Sequence, residues 1–160
     1  LRLFDRQRRL TPAIQIVPFR PWHLTPVLRI ERASFGREAW PRGDFLEYRR
    51  ECRDWFVVAK LGGRIAGYMI ACPEKRGAEI ASIAVHPDYR RRGVADALMR
   101  HMLGVLEAAG VRRVELMVRV DNPAAVKLYR SLGFRRLRVD PGYYDDGVPG
   151  LLMVRRYNEP

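Results

Sequence analysis

The run His86-Pro87-Asp88-Tyr89-Arg90-Arg91-Arg92-Gly93-Val94-Ala95 carries the clearest chemical signal in the chain. It follows an apolar stretch, Ile80-Ala81-Ser82-Ile83-Ala84-Val85, and leads into a segment with amphipathic helical spacing. A strand that stops, turns through a glycine and opens a helix points several unpaired backbone N–H groups in one direction, at the positive end of the helix dipole. That arrangement binds phosphate or pyrophosphate. Gly93 removes a Cβ so that a ligand can approach the backbone, and Arg90, Arg91 and Arg92 add charge. The chain has no G-x-x-x-x-G-K-[ST] and no G-x-G-x-x-G, so two common phosphate-binding classes are excluded.

Such a clamp needs a frame, and the periodicities outline one. Ile14 to Phe19 reads as a short strand ending at prolines. Residues from about Trp22 to Phe35 place Leu24, Val27, Leu28, Ile30 and Ala33 at helical spacing. A loop with Gly36, Trp40 and Pro41 precedes a second helix around Asp44 to Cys52. Trp55 to Leu61 and Arg64 to Cys72 flank Gly62-Gly63, a hairpin signal, and Ala78 to Val85 continues the sheet. The helix from about Val94 to Ala109 buries Leu98, Met102, Val105 and Leu106 and stops at Gly110. Val111 to Val118 is a strand. Asn122-Pro123 then forms an N-cap that opens Ala124 to Leu132, and Gly133 ends that helix. Strands near Arg135–Val139 and Gly150–Arg156 close the chain. The order β-α-α-β-β-β-α-β-α-β-β predicts an α/β layer protein with a mixed sheet.

Composition bounds the rest. The 160 residues suit one domain, expected over 13–160, preceded by a mobile basic arm over 1–12. The net charge is +12, and only three of 30 basic residues are lysines: Lys60, Lys75 and Lys127. That balance favours anionic ligands, with ribosomal RNA and acidic proteins both fitting it. Cys52 and Cys72 lie far apart in sequence and form no C-x-x-C pair. With no His/Cys ligand spacing either, they suggest a reducing cytoplasm and no metal. No apolar stretch approaches the roughly 18–20 residues that span a bilayer, so no membrane partner is expected. Leu1 to Leu10 lacks the uninterrupted apolar region of a signal peptide.

Arg90-x-x-Gly93-x-Ala95 resembles the [QR]-x-x-G-x-[GA] pyrophosphate loop of the GCN5-related N-acetyltransferases, the GNAT superfamily. The segment from Val118 to Phe134 is similar to the V-R-x-x-N-x-x-A-x-x-L-Y-x-x-x-G-F stretch of RimI-like ribosomal-protein-alanine acetyltransferases and other N-terminal acetyltransferases. The two motifs sit at family spacing and cover about residues 78–134. Glu31, Phe35 and Trp40 echo the E…F…W pattern of RimI-like proteins. The resemblance implies the GNAT fold: a mixed sheet of about seven strands with about four flanking helices, splayed between strands 4 and 5. It implies acetyl-coenzyme A as cosubstrate, with its pantetheine along Ile83, Ala84 and Val85. The pyrophosphate would lie on Arg90, Arg91, Arg92, Gly93, Val94, Ala95 and Asp96, and Asn122 would stand near the pantetheine. Tyr129 matches the family's general acid, within about 3 Å of the sulfur directly or through one water.

Pro141-Gly142-Tyr143-Tyr144-Asp145-Asp146-Gly147 resembles the Y-Y-x-D-G loop of protein N-terminal acetyltransferases, where tyrosines line the peptide groove. Tyrosine hydroxyls can bond main-chain amides while the rings pack on side chains. Phe35, Trp40, Tyr143 and Tyr144 are therefore the expected acceptor-binding residues. The chain departs from the family in continuing with Val148-Pro149-Gly150, which leaves the N-terminal residue selected open.

The base is the second departure. RimI-like enzymes carry a glutamate five residues before the asparagine, and here that position is Met117, which cannot take a proton. Glu79 sits where histone-type members carry their catalytic glutamate and is the favoured base, acting through water. Glu115, two residues from Met117 or roughly 6–7 Å by strand rise, is the alternative. An α-amine with a pKa of about 7.7–8.0 is about a tenth neutral at pH 7, whereas a lysine at about 10.4 is neutral only to a few parts in ten thousand. Loss of a base therefore weakens a lysine acceptor more than a protein N-terminus.

The leading expectation is an acetyl-CoA-dependent enzyme acting by direct attack of a protein N-terminal α-amine on the thioester, a ribosomal protein heading the acceptors. A small amine or a protein lysine is the alternative acceptor. A non-catalytic RNA- or ribosome-binding module is a third reading. The sequence leaves ribosome association open and does not choose between a monomer and a homodimer.

Overall fold

The computed structural model describes residues 12–157, so all but the last residue of the expected basic arm lies outside the described residues. Strand β1 (Ile14–Pro18) leads through a 3-10 turn at Pro21–His23 into α1 (Leu24–Phe35) and then α2 (Arg42–Cys52). A three-strand meander follows: β2 (Phe56–Leu61), β3 (Arg64–Glu74) and β4 (Gly77–Val85). Helix α3 (Val94–Ala108), β5 (Arg113–Arg119), α4 (Pro123–Ser131), β6 (Arg135–Asp140) and β7 (Gly150–Arg156) complete it. The predicted order holds throughout. Short 3-10 turns at Gly36–Glu38, Arg53–Trp55 and Pro87–Tyr89 are additions that periodicity does not reveal.

The seven strands form one sheet in the order β1-β2-β3-β4-β5-β7-β6. Every neighbouring pair is antiparallel except β4 and β5, which run parallel and pair only at Ala78/Val114 and Glu79/Glu115. Beyond that rung the two strands part. A bulge in β4 prepares the opening: Ser82 faces Ile70 and Ile80 faces Ala71, leaving Ala81 without a partner on β3.

Two cores hold the layers. On one face, Leu98, Met99, Met102 and Leu106 of α3 pack with Met69, Val114, Leu116 and Met153, and Tyr129 and Leu132 join them from the α4 side. Along β5, Val114, Leu116 and Val118 turn inward on a period of two, as a half-buried strand requires. On the other face, Val27 and Ile30 of α1 and Phe45 of α2 pack on Phe56, Val58 and Tyr68.

The structure corrects the reading of the cysteines. Cys52 ends α2 and Cys72 lies in β3, their Cα atoms are 4.9 Å apart, and the two form a disulfide. Helix α2 folds back over β3 and closes the 20-residue separation, a long-range contact that the spacing rules for local cysteine pairs do not address.

Candidate active site

Where β4 and β5 part, the chain encloses a cavity of about 540 Å³. Its floor is Ile80, Ser82 and Ile83 of β4 with Leu116 and Met117 of β5. Asn122, Ala125 and Tyr129 form the α4 wall, while Glu31, Phe35, Glu38 and Trp40 come from α1 and the loop after it. Tyr143, Tyr144 and Asp145 close the rim from the β6–β7 loop. Seven of the residues singled out in the sequence thus converge: Phe35, Trp40, Ile83, Asn122, Tyr129, Tyr143 and Tyr144. Ala84, Val85, the run Arg90–Asp96 and Glu79 do not line it.

The β4 side is built for an extended ligand. Past Glu79 the edge of β4 that faces β5 has no strand partner, so its backbone groups are open to pair with another chain of amides. The same strand runs on to the loop that opens α3. There Arg91 (φ 62°) and Gly93 (φ 80°) both adopt left-handed backbone. Alternation of this kind turns successive N–H groups to one side and forms an anion nest. For Arg91, a residue with a Cβ, the conformation costs roughly 1–2 kcal/mol. Gly93 caps α3 without a side-chain hydrogen bond, which leaves the first-turn N–H groups free of an intrinsic cap. The charged side chains have local roles as well. Arg90 donates to the Val85 carbonyl at 3.3 Å, Arg92 lies 5.6 Å from the centre of the Tyr89 ring, and the Asp96 carboxylate pairs with Arg100 at 2.9 Å. Asn122 caps α4 by accepting the Ala125 N–H through its side-chain oxygen. Its amide NH₂ has no hydrogen-bond partner among the described residues.

Tyr129 is 8% exposed, and burial pushes its hydroxyl up to about 12, so it is a proton donor at neutral pH. That hydroxyl bonds to none of the described residues and is open to the cavity. At the rim, the Tyr143 and Tyr144 rings meet edge to face at 5.0 Å. Burial and the neighbouring Tyr143 hold the Tyr144 hydroxyl up to about 12. Arg119 fixes this loop: its guanidinium bonds Asp121 at 3.0 and 3.1 Å, reaches Asp146 at 2.7 Å, and stacks 5.0 Å from the Tyr144 ring.

The carboxylates fall in different surroundings. Glu79 and Glu115 face each other on the last paired rung, just before the floor residues Ile80 and Leu116. Glu115 is held by Arg113 at 2.5 Å. Partial burial, then Glu115 and Glu74, raise the Glu79 carboxyl above the usual range. Met117 lies two residues on, and its side chain and Tyr143 both crowd Gly150: a Cβ there would stand 2.7 Å from the methionine sulfur and 2.9 Å from Tyr143 Cγ.

Glu31 was named in the E…F…W pattern but given no role at the site, yet it is the buried carboxylate of the wall, 1% exposed. It accepts the Trp40 N–H at 2.9 Å and the Tyr68 hydroxyl, and Tyr68 also contacts Ser82 at 2.9 Å. Burial raises the Glu31 carboxyl, partly offset by those two donors. The signal was present in the sequence, because Glu31 shares the inward face of α1 with Leu24, Val27 and Ile30. An acid on an apolar stripe needs partners.

Comparison with known proteins agrees with this geometry. The family model described as Acetyltransferase (GNAT) family matches residues 24–134. An N-alpha-acetyltransferase of Sulfurisphaera tokodaii is 33% identical over 142 residues, spanning 80% of this chain and 84% of that protein. The ribosomal protein bS18-alanine N-acetyltransferase of Escherichia coli is 40% identical over 82 residues, 51% of this chain and 55% of its own length. The crystal structure of Ard1 from Thermoplasma volcanium matches with a TM-score of 0.86 at 31% identity, covering 92% of this chain and 99% of that one.

Proposed function

The chain belongs to the acetyltransferase (GNAT) family, and we propose that it transfers an acetyl group from acetyl-coenzyme A to the N-terminal α-amine of a protein, a ribosomal protein being the leading acceptor. The observation that carries this reading is that Tyr143, Tyr144, Phe35 and Trp40 line the same cavity as Tyr129 and Asn122. An aromatic rim with phenolic hydroxyls suits the first residues of a peptide. The similarity to enzymes named for α-amine and ribosomal-protein acetylation supports it. The cosubstrate would supply the activated acetyl group as a thioester.

The chain's own residues fit that group and divide the work. The open edge of β4 at Ile83, Ala84 and Val85 would hold the pantetheine amides. The left-handed turn at Arg91 and Gly93, followed by Val94, Ala95 and Asp96 of the first turn of α3, would hold the diphosphate. Tyr129, kept protonated by burial, would give its proton to the departing thiolate. Glu79 remains the proposed base, reached through water from the rung below the floor. Partial burial and the neighbouring Glu115 raise its carboxyl above the usual range, which makes it a stronger base than an exposed glutamate.

A small polycation is the second reading. Three carboxylates, Glu31, Glu38 and Asp145, line the cavity against a single arginine that is already shared between two aspartates. One assay separates the two. Peptides with free N-termini, the same peptides blocked at the N-terminus but carrying lysine, and polyamines are offered with acetyl-coenzyme A. Turnover confined to free N-termini is expected, and turnover confined to polyamines would reject the peptide reading.

A further inference from the structure

Helix α4 is a wall between two cavities. Asn122, Ala125 and Tyr129 face the one already described. Val126, Lys127 and Arg130 face another of about 440 Å³, completed by Arg136 of β6 and floored by Val120 and Leu151. No residue lines both. The second groove has three cations and no carboxylate in its walls. None of the three is paired with an acid among the described residues, whereas Arg100, Arg113, Arg119 and Arg138 each are. Arg130 closes the last turn of α4, where a cation is favourable to the helix dipole. That local reason does not extend to Lys127 or Arg136. Like charges gathered around one concavity repel unless an anion lies between them.

We propose that this groove binds the phosphodiester backbone of single-stranded nucleic acid. Guanidinium forks match phosphate oxygens and shed water readily, and the apolar floor offers a surface for ribose or base. The positive lining extends past the groove, since β6 is the edge strand and exposes Arg135 beside Arg136. Arginines on an edge oppose the addition of another strand, which denies an acidic peptide its backbone pairing. The groove lies one helix diameter, about 10 Å, from the acceptor cavity. A bound polymer would hold the enzyme beside acceptors displayed on nucleoprotein, whatever the acceptor amine proves to be.

Fluorescence anisotropy with labelled single strands of about 20 nucleotides, longer than one groove can cover, tests this. RNA and DNA of the same sequence are compared, with coenzyme A saturating so that the strand cannot occupy a diphosphate site. The triple variant Lys127→Gln/Arg130→Gln/Arg136→Gln is expected to bind at least about tenfold more weakly. Its log K against log salt slope should fall by about 2, the loss of three phosphate contacts. Turnover of a free peptide should be unchanged, which also shows that the variant folds. The tighter of the two strands names the natural source. Wild-type affinity in the groove variant would overturn the proposal. So would an equal loss in Arg49→Gln/Arg50→Gln/Arg53→Gln, which removes the same charge from the end of α2 and the turn after it, or equal competition by polyglutamate, which would assign the groove to an acidic protein.

Discussion

The two parts of the candidate site, the β4–α3 run beside the cavity and the aromatic wall of the cavity itself, are made from different materials. The β4–α3 side is mostly backbone: an unpaired strand edge, two left-handed residues and the uncapped start of a helix. The opposite side is side chains from three segments that meet only in the folded chain: Glu31 and Phe35 of α1, Trp40 of the next loop, and Tyr143 and Tyr144 of the β6–β7 loop. Backbone recognition depends on local conformation, so changing one side chain there costs little unless it bars that conformation. The aromatic side depends on packing, so changes there should alter which amine enters while leaving the cosubstrate alone.

The sharpest test of that division is Tyr129→Phe, which removes one hydroxyl and keeps the ring. Turnover should fall by on the order of 10²–10⁴-fold with coenzyme A affinity unchanged. Stopped assays and calorimetry on the same sample check both halves. Next in size is Cys72→Ser. Opening a 20-residue loop should cost about 3 kcal/mol in denaturant unfolding, concentrated where α2 meets β3. A loss shared evenly between the two sides of the sheet in hydrogen exchange would contradict the localisation.

Two glycine substitutions then separate the sides directly. Gly93→Ala forces a Cβ into φ 80° and should weaken coenzyme A binding about tenfold without changing the acceptor KM. Gly150→Ala drives a Cβ against Met117 and Tyr143 and should raise the acceptor KM by a similar factor with coenzyme A affinity intact. Reversed effects would break the comparison.

The smallest expected effect is a pH dependence at the turn that opens α1. His23 is buried, accepts the Arg20 N–H at 2.9 Å through Nδ1, and leaves Nε2 without a partner among the described residues. Burial, then Lys60 and Arg20, lowers its pKa below 6.5. The unfolded chain therefore binds this proton more readily, and the stability it withholds is lost as pH falls below 6.5. The thermal unfolding midpoints of wild type and His23→Gln should converge slightly as pH falls from 7.5 to about 5. Parallel curves would remove His23 from the acid response.

Legibility in the sequence follows the same division. The turn into α3 and the Asn122-Pro123 cap are set by neighbours in the chain, and both are where the spacing predicts. The halt in β4–β5 pairing was expected only through family resemblance, since nothing local in either strand marks it. The bulge at Ala81 was hidden because Ile80-Ala81-Ser82-Ile83 reads as an unbroken apolar strand. Glu31 was named only through the family pattern, and its bond to Tyr68 and the disulfide went unread because both depend on α1 and α2 lying over β3, a contact between residues 20 to 37 positions apart. The Tyr143-Tyr144 pair was legible as a motif, but its fastening by Arg119 spans 27 positions and was not.

The two-residue junction between β4 and β5 also makes a fault line. The first four strands and the last three are joined edge to edge only there, and Leu98, Met99, Met102 and Leu106 of α3 share one core with residues of both blocks. One bolt across it is the Tyr157 hydroxyl, which donates to the Leu103 carbonyl of α3 at 2.7 Å. That junction has fewer paired rungs than any other in the sheet. A guest lying in the gap therefore acts as mortar, binding together the two blocks that frame it.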